Sequence, residues 1–344
     1  MGGDMAAERA SRGQRRPTIL DIANEAGVSK GLVSMVLSGA SGPSAATAER
    51  VVAIAERLGY RTNRTAALLA RRRTRLLGVT IIPSNIYHGE LIEDIQEAAD
   101  AAGYELVLGS IAGSRDELRT IEMLIDFRCE ALLLVGPTVA AHKLAPIIAD
   151  VPTVCVGRVL DLPDVDVVRS DDSKGMGAVA DHLVSLGHRR IAHVDGGPGV
   201  IADGRRRAYR AAMKRHQLEP LVLRGGLTER LGALALDALG ESSGITAIMA
   251  FNDRTAIGIV DRLERQNVTV PGEISVTGFD DSILARHSRI DLTTVNQAPE
   301  EQARMAVAAA IERLDAGRTE RREIVLPANL IVRGSTSSPP SQAL

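Results

Sequence analysis

Hydrophobic and polar residues follow two different periods between Leu76 and about Arg333. Short apolar runs predict strands at Leu76–Ile82, Glu105–Gly109, Ala131–Val135, Thr153–Gly157, Arg190–Val194, Pro220–Arg224, Ala247–Phe251 and Ile274–Gly278. Between them, apolar residues at helical spacing predict helices at Leu91–Ala102, Asp116–Phe127, Gly175–Leu186, Arg205–His216, Ala256–Gln266 and Glu300–Leu314. Apolar strands that alternate with helices indicate parallel sheets covered on both faces. Roughly 260 residues is enough for two such sheets side by side.

The stretch before this region, Pro17–Arg75, reads as short helical segments. Thr18 followed by Asp21 resembles a capping box that opens a first helix. The apolar residues of that helix recur on one face, at Ile22, Ala23 and Ala26. Gly27 then supplies the positive φ that a tight turn needs.

A second helix follows the turn at once, with Ser29 as its predicted cap. Its inward positions are Leu32, Val33, Val36 and Leu37, and its outward positions are Lys30, Gly31, Ser34 and Met35. Two short helices joined by such a turn place the second helix in the major groove of DNA. The alternative is a helical hairpin that only packs against its neighbours.

A third helix is predicted between Ser44 and Gly59. Asn63 can cap a short fourth helix at Arg64–Ala70, which is too short to be stable alone in water. This segment is rich in Ala and Leu and is flanked by arginines. Such an apolar wedge is typical of proteins that open a base step from the minor groove.

Charge is distributed unevenly along the chain. Residues 1–75 contain 13 Lys and Arg against 6 Asp and Glu, whereas the rest contains 28 against 37. A basic head on an acidic body predicts that the head meets a polyanion and the body does not.

The sequence gives little support for a metalloprotein, a nucleotide-dependent enzyme, a secreted protein or a membrane protein. Cys129 and Cys155 lie in or beside apolar runs without metal-ligand spacing, which indicates core thiols. The segment Gly196–Gly199 matches neither a dinucleotide loop nor a phosphate loop, and the histidines are scattered, so we expect no enzyme, metal or cofactor. Met1–Arg16 lacks the apolar core of a signal peptide, and no apolar stretch approaches the ~20 residues of a membrane span. We therefore expect a cytoplasmic protein.

These motifs together resemble the lactose-repressor (LacI/GalR) family of bacterial transcription regulators. From Thr18 the head reads T-x-x-D-I-A-x-x-A-G-V-S, then V-S-x-V-L, then L-G-Y and x-N-R-x-A-x-x-L up to Leu69. The body adds H-L-x-x-L-G-H from His182 and I-S-V-T-G-F-D-D from Ile274. The resemblance covers roughly Pro17 to Arg333.

The resemblance implies an all-α helix-turn-helix head and a periplasmic-binding-protein-like α/β body of two doubly wound subdomains, joined by three crossings of the chain. The expected divisions are a disordered basic arm (1–16), a DNA-binding domain (17–61), a hinge helix and linker (62–75), an effector-binding and dimerisation domain (76–333) and a disordered tail (334–344). Within the body we expect the first subdomain near 76–166 and 297–326, and the second near 167–296 and 327–333. A homodimer on a pseudo-palindromic operator is expected.

Site residues are carried over position by position. The expected DNA contacts are Thr18, Ser29, Lys30, Gly31, Ser34, Met35, Thr47, Tyr60, Asn63, Ala66 and Leu69. Lys30 and Gly31 occupy base-reading positions, and Leu69 occupies the position of a leucine inserted in the minor groove. Gly31 has no side chain to donate, whereas Lys30 can donate to guanine.

The expected effector contacts are Tyr87, Arg205, Asn252, Asp253 and Asp280. Ser84–His88 follow the first strand and should line the cleft, with Tyr87 as the expected stacking surface. The resemblance assigns Arg205 to a clamp on polar ligand groups. Asn252 or Asp253, and also Asp280, follow the carboxyl ends of strands, where parallel sheets present ligands. The ligand is a sugar or another metabolite.

The sequence thus predicts a DNA-binding regulator, most simply a repressor, whose operator affinity changes when the ligand shifts the subdomain angle. The residues do not distinguish an inducer from a corepressor. The alternatives are a solute-binding protein and an α/β enzyme. The first would need a secretion signal in place of the head, and the second would need a phosphate loop or a catalytic constellation.

Overall fold

The computed structural model describes residues 17–37, 41–60, 73–112, 116–239 and 244–341. The chain divides into two compact units, Met1–Thr74 and Arg75–Leu344. The predicted basic arm (1–16) and the predicted fourth helix (Arg64–Ala70) lie outside the described residues.

The first unit contains the helices α1 (Ile19–Ala26), α2 (Lys30–Leu37) and α3 (Ala45–Arg57). The predicted capping box is confirmed, because the Thr18 hydroxyl donates to Asp21 at 2.7 Å while the Asp21 N–H faces Thr18 Oγ1. Gly27 ends α1 in the left-handed region, at φ 64°. The three helices bury a small core of Ile22, Ala23, Ala26, Val33, Val51, Ile54 and Ala55.

The second unit alternates strands and helices throughout. Its strands are β1 (Leu76–Ile81), β2 (Glu105–Ser110), β3 (Ala131–Val135), β4 (Thr153–Val156), β5 (Val165–Ser170), β6 (Ile191–Val194), β7 (Leu221–Leu223), β8 (Ala247–Ala250), β9 (Ser275–Thr277), β10 (Thr294–Asn296), β11 (Glu323–Leu326) and β12 (Asn329–Ile331). Its helices are α4 (Ile86–Ala101), α5 (Glu117–Asp126), α6 (Ala141–Ile148), α7 (Asp172–Ser185), α8 (Val200–Arg215), α9 (Glu229–Ala235), α10 (Asp253–Arg265) and α11 (Pro299–Asp315), with a 3-10 turn at Leu236–Ala238.

The strands form two parallel sheets, as the alternating pattern predicts. The six-stranded sheet has the order β11-β5-β4-β3-β1-β2 and, with α4, α5, α6 and α11, makes the first subdomain. The four-stranded sheet has the order β7-β6-β8-β9 and, with α7 to α10, makes the second. An antiparallel pair, β10 and β12, completes the second subdomain. Helices cover both faces of each sheet, so the central strands β1, β3, β4, β6 and β8 are almost wholly buried, whereas the edge strands β2, β7 and β11 are partly exposed.

The chain passes between the subdomains three times, after β5, after β10 and after β11. The sequence places the first boundary near residue 166, whereas β5 stays in the six-stranded sheet to Ser170. Both subdomains are therefore assembled from separate stretches of chain, and the crossings lie side by side between them.

The expectation of a disordered tail at 334–344 is wrong for its first residues. Ser335 is buried, accepting from the Thr293 N–H at 2.8 Å and donating to the Val276 carbonyl at 2.6 Å. The Ser337 N–H donates to Ser275 Oγ at 3.0 Å. These bonds hold the tail against the second sheet, and residues 342–344 lie outside the described part.

None of the described helices is long and apolar enough to cross a membrane. Within the described ranges, no three His, Cys, Asp or Glu side chains group as metal ligands. Both cysteines are buried and free, as predicted.

His193 makes the stability of the second subdomain sensitive to acid. It lies on β6, completely buried, where Nδ1–H donates to the Met249 carbonyl at 2.8 Å and the ring packs on Tyr209. Burial lowers the pKa of His193 from 6.5 to about 4. The unfolded chain therefore takes up a proton first as the pH falls, and stability is lost from about pH 6.5 downward to about pH 4.

Replacing His193 with Phe should weaken this pH dependence. Between pH 7 and pH 5 the wild-type chain should lose about 2 kcal/mol of unfolding free energy through this residue, and the variant should not. Urea unfolding of the full chain at both pH values measures the difference. Met249→Leu, a buried change of similar volume, should keep the wild-type pH dependence. Parallel curves for wild type and His193→Phe would contradict the assignment.

Candidate functional site

The outward face of α2 is confirmed as predicted from the sequence. Lys30, Gly31, Ser34 and Met35 are all exposed, with Met35 at 42%, while Val33 is fully buried. Ser29 caps the helix, accepting from the Leu32 N–H at 3.2 Å. The helix therefore presents its free N–H groups and a nearby ammonium group at one exposed end.

Gly31 leaves this face flat at the first turn of α2. A Cβ placed there would meet only Ser29 Oγ, at 3.9 Å. The backbone can thus approach another surface closely at this point.

Other head residues predicted to contact DNA have local structural roles. Thr18 belongs to the capping box of α1, and the Thr47 hydroxyl lies 2.9 Å from the hydroxyl of Ser44, the cap of α3. Tyr60 packs half-buried against the head core. The predicted contacts Asn63, Ala66 and Leu69 lie outside the described residues.

A cavity of about 540 Å³ separates the two subdomains at the carboxyl ends of their strands. Of the predicted effector residues, Tyr87, Arg205, Asn252 and Asp280 line it. A parallel sheet binds ligands at this edge, because side chains in the loops after neighbouring strands converge there. The structure thus brings four of the five predicted residues to one cavity.

Arg205 forms the polar centre of this cavity. Its side chain is only 4% exposed, and its guanidinium carbon lies 3.6 Å from the centre of the Phe279 ring and 4.8 Å from that of Phe251. Nε donates to Asp172 at 3.0 Å, and Nη1 donates to the Phe251 carbonyl at 2.7 Å. Nη2 has no acceptor among the described residues, which leaves it available to a ligand.

Asp280 lies next to Arg205 in an unusual backbone conformation, at φ 126°. Its Oδ1 accepts from Gln297 Nε2 at 2.7 Å and is 3.8 Å from Arg205 Nη1. Burial raises the pKa of Asp280 well above its ordinary value, although the Arg205 charge opposes the rise. Oδ2 remains without a donor in the described part of the chain. The pair therefore places the Arg205 Nη2 donor beside an Asp280 oxygen that accepts when ionised and donates when protonated, and a ligand hydroxyl group can match either form.

Asn252 and Asp253 have different roles although they are adjacent. Asn252 caps α10 through Oδ1, which accepts from the Thr255 N–H at 2.9 Å, and it borders the cavity. Asp253 does not line the cavity, so its predicted ligand role is not supported. Its carboxylate accepts from the Ser282 N–H at 2.8 Å and from the Thr294 hydroxyl at 2.5 Å, which ties the loop after β9 to the start of β10.

Tyr87 lies on the first-subdomain wall, where the sequence predicts that Ser84–His88 line the cleft. Its ring packs in the first core, and its hydroxyl accepts from Gln302 Nε2 at 3.0 Å. Burial raises the pKa of the Tyr87 hydroxyl. Tyr87 thus presents a neutral hydroxyl group rather than a flat stacking surface.

Three further residues of the site were not singled out by sequence reasoning: Arg158, Asp172 and Gln297. His88 and Arg158 line the first-subdomain wall. The position of Arg158, two residues after β4, is a signal that could have found it, since ligand loops follow strand ends. Asp172 and Gln297 are at crossings, whose positions depend on the assembled fold.

The crossings and the cavity share one hydrogen-bonded network, the crossover ring, formed by Ser170, Asp172, Arg205, Asp280 and Gln297. The Ser170 hydroxyl lies 2.9 Å from both Asp172 Oδ1 and Gln297 Oε1. Asp172 then accepts from Arg205, and Gln297 donates to Asp280. The charged groups that face the cavity are therefore joined directly to two of the segments that link the subdomains.

Hydrogen bonds also span the cleft away from the crossings. Arg254 of the second subdomain donates to the Ser84 carbonyl of the first. The Ile283 N–H donates to Glu90 Oε1 at 2.6 Å in the same way. These contacts favour one particular angle between the subdomains.

Comparison with known proteins agrees with both parts of this architecture. The family model "Bacterial regulatory proteins, lacI family" matches residues 18–63, and the "Periplasmic binding protein-like domain" matches residues 180–336. The regulator GalR of Salmonella typhimurium is 31% identical over 332 residues, which cover 94% of this chain and 96% of GalR. The regulator DegA of Bacillus subtilis is 29% identical and covers 94% of this chain and 98% of its own length.

Solved structures show the same likeness. A LacI transcriptional regulator from a Rhodococcus species has 39% identity and a TM-score of 0.74, covering 76% of this chain and 98% of that one. The lac repressor dimer bound to operator and the anti-inducer ONPF has 26% identity and a TM-score of 0.80, covering 94% of this chain and all of that one. The chain belongs to the LacI family of bacterial transcriptional regulators.

Proposed function

We propose that this regulator is a repressor that binds a pseudo-palindromic operator as a homodimer and changes its DNA affinity when a small molecule enters the cleft. The observation that carries the DNA-binding part is the exposed face of α2, which presents Lys30, Gly31, Ser34 and Met35 on a basic head. The lac repressor dimer bound to operator, similar over most of the chain, supports the same arrangement. Acting on the chromosome places the protein in the cytoplasm.

In this proposal α2 enters the major groove with its N-terminal end foremost. Lys30 donates to base edges, Met35 supplies an apolar contact, and Gly31 permits close approach. Thr18, Ser29, Ser34, Thr47 and Asn63 contact phosphates, assisted by the helix N-termini, and Tyr60 is a further DNA contact. Ala66 and Leu69 are proposed from the sequence as the minor-groove contacts that follow.

The effector part of the proposal rests on the cavity and the crossover ring. A ligand that contacts Tyr87 from one side and Arg205, Asn252 and Asp280 from the other bridges both subdomains. Its binding therefore favours one angle between them over another, which shifts the population of DNA-competent protein. The cellobiose complex of the regulator CelR, 28% identical over most of this chain with a TM-score of 0.69, supports a small molecule as the effector.

We propose no catalytic step for this cavity. Arg254 is committed to a bidentate pair with Glu229, at 2.8 and 2.6 Å, and Arg205 to the crossover ring. The burial of His88, which lowers its pKa to about 4, keeps it uncharged near neutral pH. The proposal therefore describes a binding cavity and requires neither a metal nor a cofactor.

Operator binding should depend steeply on salt and specifically on Lys30. Selection of operators from random duplex DNA should yield a palindromic motif, and Lys30→Ala should relax base preference at one position of each half-site, at a cost of about 1–3 kcal/mol there. Affinity of the wild type should fall linearly on a plot of log K against log salt.

Arg50→Ala is the matched control, since it removes one exposed positive charge from α3. It should leave the selected motif unchanged. An unaltered motif in Lys30→Ala would show that Lys30 touches only the DNA backbone, and the absence of any palindromic preference in the wild type would exclude the repressor.

Arg205→Lys should separate effector response from DNA binding. Lysine keeps the positive charge but has a single nitrogen in place of the planar guanidinium. It therefore cannot donate to Asp172, to the Phe251 carbonyl and to a ligand from three separate positions. A ligand found by thermal-shift screening of sugars, sugar acids, purines and amino acids should change wild-type operator affinity about 5–150-fold. The variant should keep its ligand-free affinity and lose this response.

Arg262→Lys, an exposed arginine paired with Asp237 outside the cleft, is the control and should respond like the wild type. An Arg205→Lys variant that still responds fully would remove Arg205 from the effector site.

A further inference from the structure

We propose that the effector is a hydroxylated anion, a carboxylate or a phosphate monoester, whose anionic group lies on the first-subdomain wall beside His88 and Arg158. This inference rests on the proposed effector cavity and specifies the chemistry of its ligand.

The first supporting feature is a fixed donor on His88. This side chain is 6% exposed, and its Nδ1 accepts from the Ile82 N–H at 3.2 Å. The proton of the neutral ring therefore lies on Nε2. A Cβ placed on Gly136 would lie 3.7 Å from this Nε2 and 3.9 Å from Ile201, which comes from the other subdomain. Nε2–H thus lies in the cleft, and no described residue accepts from it.

The second feature is the buried charge of Arg158. Its side chain is 8% exposed and donates to the Pro137 carbonyl and, at 3.0 Å each, to the Val159 and Val139 carbonyls. No carboxylate in the described ranges lies within ion-pair distance of it. The carbonyl groups accept hydrogen bonds from the guanidinium but do not neutralise its positive charge. A buried charge without a counter-ion is costly.

Glu117, an acidic residue that bonds to the same Val139 backbone as Arg158, is already engaged. Glu117 accepts from the Thr138 N–H at 2.9 Å, from the Thr138 hydroxyl at 2.6 Å and from the Val139 N–H at 3.1 Å. The Glu117 carboxylate therefore fixes the loop at Thr138 and Val139. It does not form an ion pair with the Arg158 guanidinium. An anion in the cavity can supply the missing countercharge.

The opposite wall is already balanced. Arg205 pairs with Asp172 and has Asp280 nearby, and Arg254 pairs with Glu229. An anionic ligand group at that wall would lie among the carboxyl groups of Asp172 and Asp280. The free Arg205 Nη2 and Asp280 Oδ2 instead suit hydroxyl groups, which both accept and donate.

Tyr87 adds a further donor to the first wall. Because its oxygen accepts from Gln302, its own proton is left for a ligand. After burial, the nearby carboxyl groups of Asp280 and Asp172 also raise the pKa of this hydroxyl, so Tyr87 suits a ligand hydroxyl rather than the anionic group. His88 and Arg158 present donors, and an anionic oxygen, which only accepts, matches them better than a hydroxyl group does.

Binding of matched neutral and anionic probes to the full chain tests the inference. The probes are D-glucose, D-gluconate and D-glucose 6-phosphate and the three corresponding galactose compounds, with acetate and inorganic phosphate as anions without hydroxyls, all at one ionic strength. Thermal shift and calorimetry should show at least one hydroxylated anion binding about 10-fold or more tightly than its neutral parent. The gluconate and 6-phosphate arms distinguish a carboxylate from a phosphate.

His88→Phe, which removes the donor and keeps a ring, should weaken binding of that anion about 10-fold or more. His142→Phe, an exposed histidine on α6, is the matched control and should bind like the wild type. If His88→Phe is poorly folded, the test still stands, because the affinity of the wild-type protein for the anion is compared with its affinity for the neutral parent sugar.

Equal or tighter binding of the neutral sugars, or no binding of any hydroxylated anion, would overturn this inference. Neutral sugars that bind and lose their effect on operator affinity in Arg205→Lys would overturn it while leaving the proposed effector cavity intact. Failure of the repressor proposal would appear separately, as absence of operator preference.

Discussion

The positive charge of Arg205 is the constraint on which the cavity and the crossings both depend. Pairing stabilises a guanidinium group so deeply buried, and Asp172 and Asp280 pair with it from two different segments. Ser170 and Gln297 then connect those carboxylates across the crossings. A ligand cannot take a hydrogen bond from Arg205 without acting on this ring. Ligand binding and subdomain angle are therefore linked by the same few side chains, which is the linkage that an effector-controlled regulator requires.

Local signals along the chain predict most of the head and of the sheets. Thr18 and Gly27 mark the ends of α1 because capping and positive φ are properties of a few neighbouring residues. The boundary of β5 and the ordered tail could not be obtained in this way. Val165–Ser170 is held by pairing with a strand some 150 residues later, and Ser335 by distant backbone groups of the second sheet.

The residues of the site likewise fall into those that local sequence signals predict and those that depend on the assembled fold. Strand ends and the family resemblance lead to Arg205 and Asp280, but they do not separate Asn252 from Asp253. Only the folded chain shows that the Ser282 N–H and the Thr294 hydroxyl turn the Asp253 carboxylate away from the cavity. The unpaired charge of Arg158 and the donor on His88 are likewise properties of surroundings assembled from distant segments.

The most direct test of the account is a double-mutant cycle across the crossover ring, measured as unfolding free energy of the full chain in urea. Asp172→Asn and Gln297→Leu do not touch each other, yet both bond to Ser170. If the ring is one connected unit, their effects should deviate from additivity by about 1 kcal/mol, whereas Asp172→Asn with the distant Asp237→Asn should be additive within about 0.5 kcal/mol. Additivity of Asp172→Asn and Gln297→Leu would contradict the claim that cavity and crossings are physically joined.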